Sequence, residues 1–290
     1  ARNGVYYVYA AGGTNGIQPK LAVNFDAGSY SLTDSRGQAT SGTFHEDPSE
    51  PGTYVFASGR ITSAVNTARF RVTTDAVVGA FAFEKPLSNP IAYEVTPFVA
   101  ARGFVTAPAQ LDGTYNYLGI GRSSNGIADS QSLAMRISGS GAILETCSDN
   151  TVGRMESCPG ASKRTYAIAA SPDFAWTATS TLPGDPLRFR MARINGHNVW
   201  LSDGSIEEAS DSHAIGIALK AVSDWSHSRH IGASTDGSWG AHVFGVWRSV
   251  RSEARSVRSA AMSREFAEML LDCVLSALSR ATRSTPTVRF

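Results

Sequence analysis

Two short Arg-Phe-Arg segments carry the best-defined candidate chemistry in this chain. One contains Arg69 and Arg71, and the other contains Arg188 and Arg190. Because side chains alternate between the faces of a strand, each arginine pair shares one face and the phenylalanine takes the other. With the phenylalanine in the core, the arginines lie outside and keep the strand soluble, which is the preferred interpretation. With the arginines pointing into a barrel, each pair could bind an anionic group bidentately, so all four are ligand-binding candidates.

Two cysteines form the second candidate. Cys147 and Cys158 flank a turn-rich connection between two strand-like segments, a spacing that suits a disulfide stapling a hairpin. Such a bridge adds about 3 kcal/mol in the chain-entropy model. The alternatives are two unlinked thiols or half of a metal site, but a metal site calls for CxxC-type spacing and further ligands. The disulfide predicts an oxidising, extracytoplasmic location: periplasm, cell surface or secretion.

A histidine-rich segment offers the third candidate. His227 and His230 follow Asp224 closely, and His213 lies upstream. These residues could form a metal site or a general base paired with a carboxylate. A solvated loop is the preferred interpretation, because the first half of the chain has nothing comparable. We therefore predict no metal site here.

An acidic loop contains Glu46, Asp47 and Glu50 around two prolines. It could hold calcium loosely, although a solvated turn is preferred. Local signatures of nucleotide binding, zinc proteolysis and serine hydrolysis are absent from the sequence. We predict no cofactor, and we expect the chain not to be an enzyme, although an active site assembled from distant residues stays open.

An internal repeat must position these residues. Five blocks of the first hundred residues recur in constant order with a period of about 110 residues. A period of that length is the size of a domain, well above the roughly 20–50 residues of solenoid repeats. The matching blocks are Asn15-Gly16-Ile17 with Asn125-Gly126-Ile127, Leu21-Ala22-Val23 with Leu133-Ala134-Met135, Gly28-Ser29-Tyr30 with Gly141-Ala142-Ile143, Thr53-Tyr54-Val55 with Thr165-Tyr166-Ala167, and Arg69-Phe70-Arg71 with Arg188-Phe189-Arg190.

Each unit is predicted to consist of strands and turns. Short segments rich in β-branched and aromatic residues alternate with Asn-Gly, Asp-Gly and Pro-Gly turns, seven or eight strands to a unit. This pattern predicts an all-β protein of tandem duplicated antiparallel β-barrels. An up-and-down barrel is preferred because tight turns need no long crossovers, and a β-sandwich is the alternative.

The predicted units span residues 1–107, 108–234 and 235–290. The third begins like the others at Asp236-Gly237-Ser238-Trp239 but lacks the later blocks. From Arg248 the apolar residues recur at helical spacing, which predicts a C-terminal α-helical tail. That tail is either a native appendage that packs on the barrels or mediates oligomerisation, or an out-of-frame remnant of a third β unit.

Composition limits the partners. Residues 1–247 hold 18 basic and 21 acidic side chains, so the body offers no broad basic surface for nucleic acid. No apolar run is long enough for a transmembrane helix. The chain starts at Ala1 inside the first repeat, so we expect either a removed signal segment or a fragment. Arginine (22) far exceeds lysine (4), which predicts a GC-rich bacterial genome.

Aromatic residues of the opening strands offer a further surface. Tyr7 and Tyr9 share one face opposite Tyr6, and Tyr115 shares a face with Tyr117. Core filling is the preferred role, but an exposed aromatic patch would suit a protein or carbohydrate partner. The favoured function is therefore a secreted or cell-surface, non-enzymatic binding or structural protein. The alternatives are a small-molecule carrier with a cavity in each barrel and an enzyme with a site between the units.

Overall fold

The computed structural model describes residues 2–10, 18–34, 36–61, 68–84, 93–122, 128–149, 154–173, 175–180, 186–202, 213–220, 229–233, 239–243 and 246–249. The structure is all-β. Two closed antiparallel barrels of eight strands each follow one another along the chain, and a small three-stranded sheet comes after them.

Barrel 1 is an up-and-down barrel in which each strand pairs with the next one in sequence. The last strand closes the barrel by pairing with the first, from Tyr7 opposite Ala101 to Ala10 opposite Phe98. Its strands are β1 (Gly4–Ala10), β2 (Lys20–Asn24), β3 (Ser29–Thr33), β4 (Ala39–Glu46), β5 (Thr53–Ala57), β6 (Arg69–Val72), β7 (Ala76–Glu84) and β8 (Tyr93–Ala101).

Barrel 2 repeats this topology. Its last strand closes onto its first, from Arg122 opposite His213 to Tyr115 opposite Lys220. Its strands are β9 (Gly113–Arg122), β10 (Ala128–Ser138), β11 (Ile143–Cys147), β12 (Lys163–Ser171), β13 (Ala175–Ser180), β14 (Leu187–Ile194), β15 (His197–Ser202) and β16 (His213–Lys220). The predicted tandem barrels are confirmed, and the β-sandwich alternative is wrong because both sheets close on themselves.

The turn residues explain why consecutive strands pair. Asn195 and Gly196 both have positive φ, +48° and +82°, as a type I′ turn between β14 and β15 requires. Gly141, between β10 and β11, has φ of +82°, and a Cβ there would lie 2.1 Å from the carbonyl oxygen of Pro108. The short 3₁₀-helix Pro108–Leu111 therefore packs against the end of barrel 2 at a distance that only glycine allows.

Each barrel encloses its own core. Tyr6 of β1 and Tyr115 of β9 occupy equivalent inward positions, and both have no exposed surface. Inward-facing aromatic side chains fill most of barrel 1: Tyr6, Tyr30, Phe44, Tyr54, Phe56, Phe70, Phe81, Phe83 and Phe98. The alternation seen in the sequence therefore produces two separate closed cores.

A small sheet follows barrel 2 and spans the predicted boundary between the second and third units. Strands β17 (Arg229–Ala233), β18 (Trp239–Val243) and β19 (Val246–Ser249) form this antiparallel sheet in that order. β17 lies before residue 235, and the other two strands lie after it. Arg248, where the sequence pattern turns helical, still lies in β19. The predicted helices themselves fall at residues 250–290, outside the described part of the chain.

Candidate functional site

The first Arg-Phe-Arg strand, β6, turns its arginines away from the interior of barrel 1. Phe70 is buried in the core, while Arg69 and Arg71 are half-buried on the outer face. Arg69 Nη1 lies 2.5 Å from Asp47 Oδ2, and Arg71 Nη2 pairs with Glu50 Oε1. Both guanidinium groups are thus engaged by the loop between β4 and β5.

That acidic loop is held by protein donors. Asp47 Oδ1 accepts hydrogen bonds from the backbone N–H and the hydroxyl of Ser49, at 2.9 and 2.6 Å. These two bonds are the main reason that the pKa of Asp47 lies below its ordinary value, and the Arg69 charge adds to them. Glu46 Oε1 accepts the backbone N–H of Gly52 at 2.7 Å. These carboxylate oxygens already have donors and are not free calcium ligands.

The second Arg-Phe-Arg strand, β14, separates its two arginines. Phe189 is buried and stacks on Trp200, with ring centroids 3.5 Å apart and planes 12° from parallel. Both arginines lie on the outer face of barrel 2, opposite Phe189. Arg188 is exposed, whereas only 2% of Arg190 is exposed. The same motif therefore yields one surface arginine and one buried arginine.

Arg190 is buried because it lies in the joint between the barrels. Its Nη1 donates to Tyr9 Oη at 2.9 Å and to Gln18 Oε1 at 2.7 Å, both in barrel 1. Its Nε donates to the Asp173 carbonyl oxygen at 2.9 Å, and the guanidinium lies 4.8 Å from the centre of the Tyr7 ring. Among the described residues no carboxylate pairs with Arg190, and its Nη2 has no hydrogen-bond partner. The positive charge is held by dipoles and aromatic rings.

An apolar cluster surrounds this arginine and joins the outer faces of the two barrels. The connection between them runs along β14: Val105 N donates to the Met191 carbonyl oxygen at 2.8 Å, and Arg193 N donates to that of Gly103 at 2.8 Å. Both barrels contribute to the cluster: Tyr9, Ala76, Val78, Val99 and Ala101 from barrel 1, and Ala192, Ile194, Val199, Leu201, Ile215 and Ile217 from barrel 2.

The described residues of barrel 1 enclose a space that is too small for a ligand. The residual space between its side chains is too small to admit a water molecule. Close ring contacts such as Phe56 with Phe70, at 4.4 Å between centroids, account for this. The residues around that space are Val8, Leu21, Leu32, Phe56, Phe81, Phe83 and Phe98.

The interior of barrel 2 is filled in a different way. The Tyr117 ring lies over Gly119 and Gly216, and a Cβ at Gly216 would lie 2.3 Å from Tyr117 Oη. Burial raises the pKa of Tyr117 to about 12, and the nearby Ser202 hydroxyl opposes the shift in part, although the two hydroxyls do not form a well-directed hydrogen bond. A large neutral phenol therefore fills the space that the two glycines leave.

Two indole groups complete the core of barrel 2. Trp176 and Trp200 are at most 3% exposed, and neither Nε1 has an acceptor among the described residues. Both nitrogens lack accessible surface, so they are packed against other atoms and do not face an open cavity.

The disulfide lies at one end of barrel 2. Cys147 and Cys158 are joined, with their Cα atoms 5.9 Å apart. The bridge packs with Ala134 and Met155 in a small apolar cluster outside the barrel core. It ties the end of β11 to the connection that leads into β12 and thereby restrains the longest loop of this barrel within the described residues.

The histidine candidates are only partly described. His213 begins β16 and His230 lies in β17, whereas Asp224 and His227 lie outside the described residues. Among the residues that the structure describes, no three histidine, cysteine, aspartate or glutamate side chains are grouped to hold a metal ion. The same residues include no helix long and apolar enough to cross a membrane.

A polar cleft opens at the end of barrel 2 that is covered by the 3₁₀-helix Pro108–Leu111. Its volume is about 390 Å³. The tight turn at Asn195 and Gly196 sets Arg193 of β14 directly opposite Asn198 of β15. Lys220, the last residue of β16, lies on another wall. The lining residues are Ala109, Gln110, Asp112, Arg193, Gly196, His197, Asn198 and Lys220.

Hydrogen bonds fix the walls of this cleft. Asn198 is 7% exposed, and its Nδ2 donates to the Gln110 carbonyl oxygen at 2.6 Å. Asp112 accepts the backbone N–H groups of Gly141 at 2.7 Å and Ser140 at 3.2 Å. Asn198 Oδ1 has no partner among the described residues. The cleft thus combines fixed acceptors with cationic side chains at its edges.

Fold and site together define an all-β protein of two fused up-and-down barrels with a packed joint. No protein-family model matches the chain, and no curated protein matches it in sequence. Among solved structures, the chain is similar to a protein of unknown function from the DUF3598 family of Nostoc punctiforme. The two are 11% identical, the alignment covers 76% of this chain and 94% of that one, and the TM-score is 0.27.

The sequence reasoning identified the arginine strands but missed the cleft. Its residues come from four separate places: residues 109–112, the end of β14, the start of β15 and the end of β16. One local signal was available, because a predicted Asn-Gly turn places Arg193 and Asn198 opposite each other. The burial of Arg190 had no such signal, since it depends on how the barrels dock.

Proposed function

We propose that the chain is a non-enzymatic binding or structural protein that acts through the outer surfaces of two rigidly joined barrels. The observation that carries this proposal is the packing inside barrel 1, whose described residues leave too little space for even a water molecule. A carrier of small molecules would need a pocket of roughly 300–1,000 Å³. Recognition therefore belongs on the outside.

The joint supports a fixed presentation of those surfaces. Eleven buried residues of the two barrels share one apolar cluster, and Arg190 adds hydrogen bonds across it. Two linked barrels present either a longer rigid body or two related surfaces, and two surfaces increase avidity when a partner offers repeated sites. A protein or carbohydrate surface is the proposed partner, and the helical tail is a proposed means of oligomerisation.

An extracytoplasmic location is part of the proposal. A disulfide between Cys147 and Cys158 forms and persists where the compartment is oxidising. The charged fraction of 18% is below the typical value of about 25%, so hydroxyl and turn residues make up much of the surface. Both features suit a periplasmic, cell-surface or secreted protein.

The arginine candidates fit this proposal unequally. Arg69 and Arg71 pair with the acidic loop, and Arg190 is committed to the joint. Arg188 is exposed on β14 and makes no ion pair with a described residue. Ligand binding by these four side chains stays a prediction, and three of them contact other residues of the fold.

The test is native mass spectrometry of the full chain purified from cells, followed by the same measurement after denaturation. We expect a native mass equal to that of the polypeptide with its disulfide or to a whole-number multiple of it, and no apolar small molecule released on unfolding. Binding of an apolar fluorescent probe to the folded chain should be no greater than to a filled-core control protein. A stoichiometric apolar molecule released only on unfolding would support the carrier instead and overturn the proposal.

A further inference from the structure

We propose that the cleft at the end of barrel 2 binds the carboxylate group of a small organic acid. This inference rests on the proposed function, because it gives the binding protein a specific ligand class and site. The cleft volume of about 390 Å³ lies within the roughly 300–1,000 Å³ of small-molecule sites.

The two cations of the cleft supply attraction for the carboxylate. Arg193 and Lys220 are exposed and line the cleft from β14 and β16. Arg193 Nη1 donates to the Gly196 carbonyl oxygen at 3.1 Å, which positions the guanidinium of this exposed side chain. A hydrogen bond from either cation to a ligand carboxylate is charge-assisted, and such a bond is roughly twice as strong as one between neutral groups.

The single carboxylate of the cleft does not cancel these charges. Asp112 is oriented by the backbone N–H groups of Gly141 and Ser140. It makes no ion pair with Arg193 or Lys220. The remaining charge therefore favours an anion at the end of the cleft that lies between the two cations.

Asn198 fixes one wall of the cleft. Its side chain is more than nine-tenths buried, and its Nδ2 donates to the Gln110 carbonyl oxygen at 2.6 Å. Its Oδ1 has no accessible surface and no donor among the described residues, so it packs against other atoms and does not contact a bound molecule. Recognition of the carboxylate therefore rests on Arg193 and Lys220.

Lys220 differs in its contacts from the equivalent cation of barrel 1. The equivalent of Lys220 is Arg102, and each packs over the opening glycine of its barrel: Arg102 Nη1 over Gly4 and Lys220 Cε over Gly113. Arg102 Nη1 donates to the Asn3 carbonyl oxygen at 3.1 Å and is committed to holding the end of barrel 1. Lys220 makes no hydrogen bond or ion pair with a described residue, so its ammonium is left for a ligand.

The experiment measures binding of glycolate and of its neutral analogue glycolamide to the full chain by NMR titration at fixed ionic strength. Glycolate carries a carboxylate, and glycolamide has an uncharged amide in its place. We expect saturable shifts for glycolate at the amides around the cleft, and much weaker binding of glycolamide. Arg193→Ala and Lys220→Ala should each weaken glycolate binding by roughly tenfold or more, because each removes one charge-assisted contact.

Matched controls separate a site from general charge attraction. Arg154→Ala and Lys163→Ala each remove one positive charge from exposed positions of barrel 2 outside the cleft, and both should keep glycolate affinity within about twofold. Equal losses in these controls, absence of saturable binding, or equal affinity for glycolamide and glycolate would each overturn the inference. None of these results bears on the proposed function, which is tested separately and is wrong if a ligand is found inside a barrel.

Discussion

Arg190 predicts how strongly the two barrels stabilise each other. Arg190→Ala removes three hydrogen bonds from a buried guanidinium, two of which cross the joint to Tyr9 and Gln18. At about 1.5–3 kcal/mol for each bond to a charged group, the gross loss is about 5–9 kcal/mol. The mutation also relieves the desolvation cost of a buried ion, which is several kcal/mol. We therefore expect a net loss of about 2–4 kcal/mol in the free energy of unfolding.

The loss should also change the form of the transition. All five tryptophans lie at residue 176 or later, so tryptophan fluorescence does not report on barrel 1. Far-UV circular dichroism reports on both barrels. In the wild type, the two signals should change together during denaturant unfolding, because the shared cluster couples the barrels. In Arg190→Ala, the fluorescence and dichroism midpoints should separate.

Two further variants identify the cause. Arg188→Ala, on the same strand but exposed, should change the free energy of unfolding by less than about 0.5 kcal/mol. Arg190→Met keeps much of the side-chain volume, so its free energy of unfolding should fall by about 1 kcal/mol less than that of Arg190→Ala. If Arg190→Ala unfolds with coincident signals and costs no more than Arg188→Ala, the joint does not depend on this arginine and the reasoning is wrong.

Three more predictions concern barrel 2. Gly216→Ala places a Cβ 2.3 Å from Tyr117 Oη and should destabilise the chain by about 1–3 kcal/mol in urea unfolding, whereas Gly160→Ala, with open space around its Cα, should not. The raised pKa of Tyr117 means that the folded state holds its proton longer than the unfolded state, so the contribution of Tyr117 to stability is full below pH 10 and declines toward pH 12. Tyr117→Phe should show a smaller decline in a pH series of thermal melts, because burial also raises the pKa values of Tyr6, Tyr30 and Tyr115 and these keep their own contributions. Replacing Cys147 and Cys158 by serine should cost about 3 kcal/mol, and an unchanged midpoint would show that the bridge restrains nothing in the unfolded chain.

The barrels could be predicted because their determinants are local. Short alternating strands joined by turns such as Asn195-Gly196 specify which neighbours pair, and up-and-down topology needs no other information. The disulfide could be predicted equally well, since Cys147 and Cys158 flank a single connection. Closure, by contrast, depends on pairing between strands about ninety residues apart, for which the sequence offered only the repeat itself.

The cleft was not predictable because its residues meet only after closure. Lys220 lines the same cleft as Asp112 and Arg193 only when β16 pairs with β9 and the 3₁₀-helix folds over the barrel end. No spacing in the sequence relates these positions. Sequence reasoning instead favoured residues repeated in both units, whereas Lys220 and Arg193 acquire their setting in one unit alone.

Divergence between repeated positions is therefore more informative about function than their conservation in both units. Arg71 and Arg190 occupy the same place in the repeat, yet Arg71 pairs with Glu50 in its own barrel while Arg190 reaches Tyr9 in the other. A motif kept in both units can thus serve two different structural purposes. Lys220 shows the converse: where barrel 1 ties the equivalent cation to its backbone, barrel 2 leaves an ammonium beside a polar cleft. A duplicated fold gains function where one copy stops using a side chain for structure, and that change is what the glycolate titration measures.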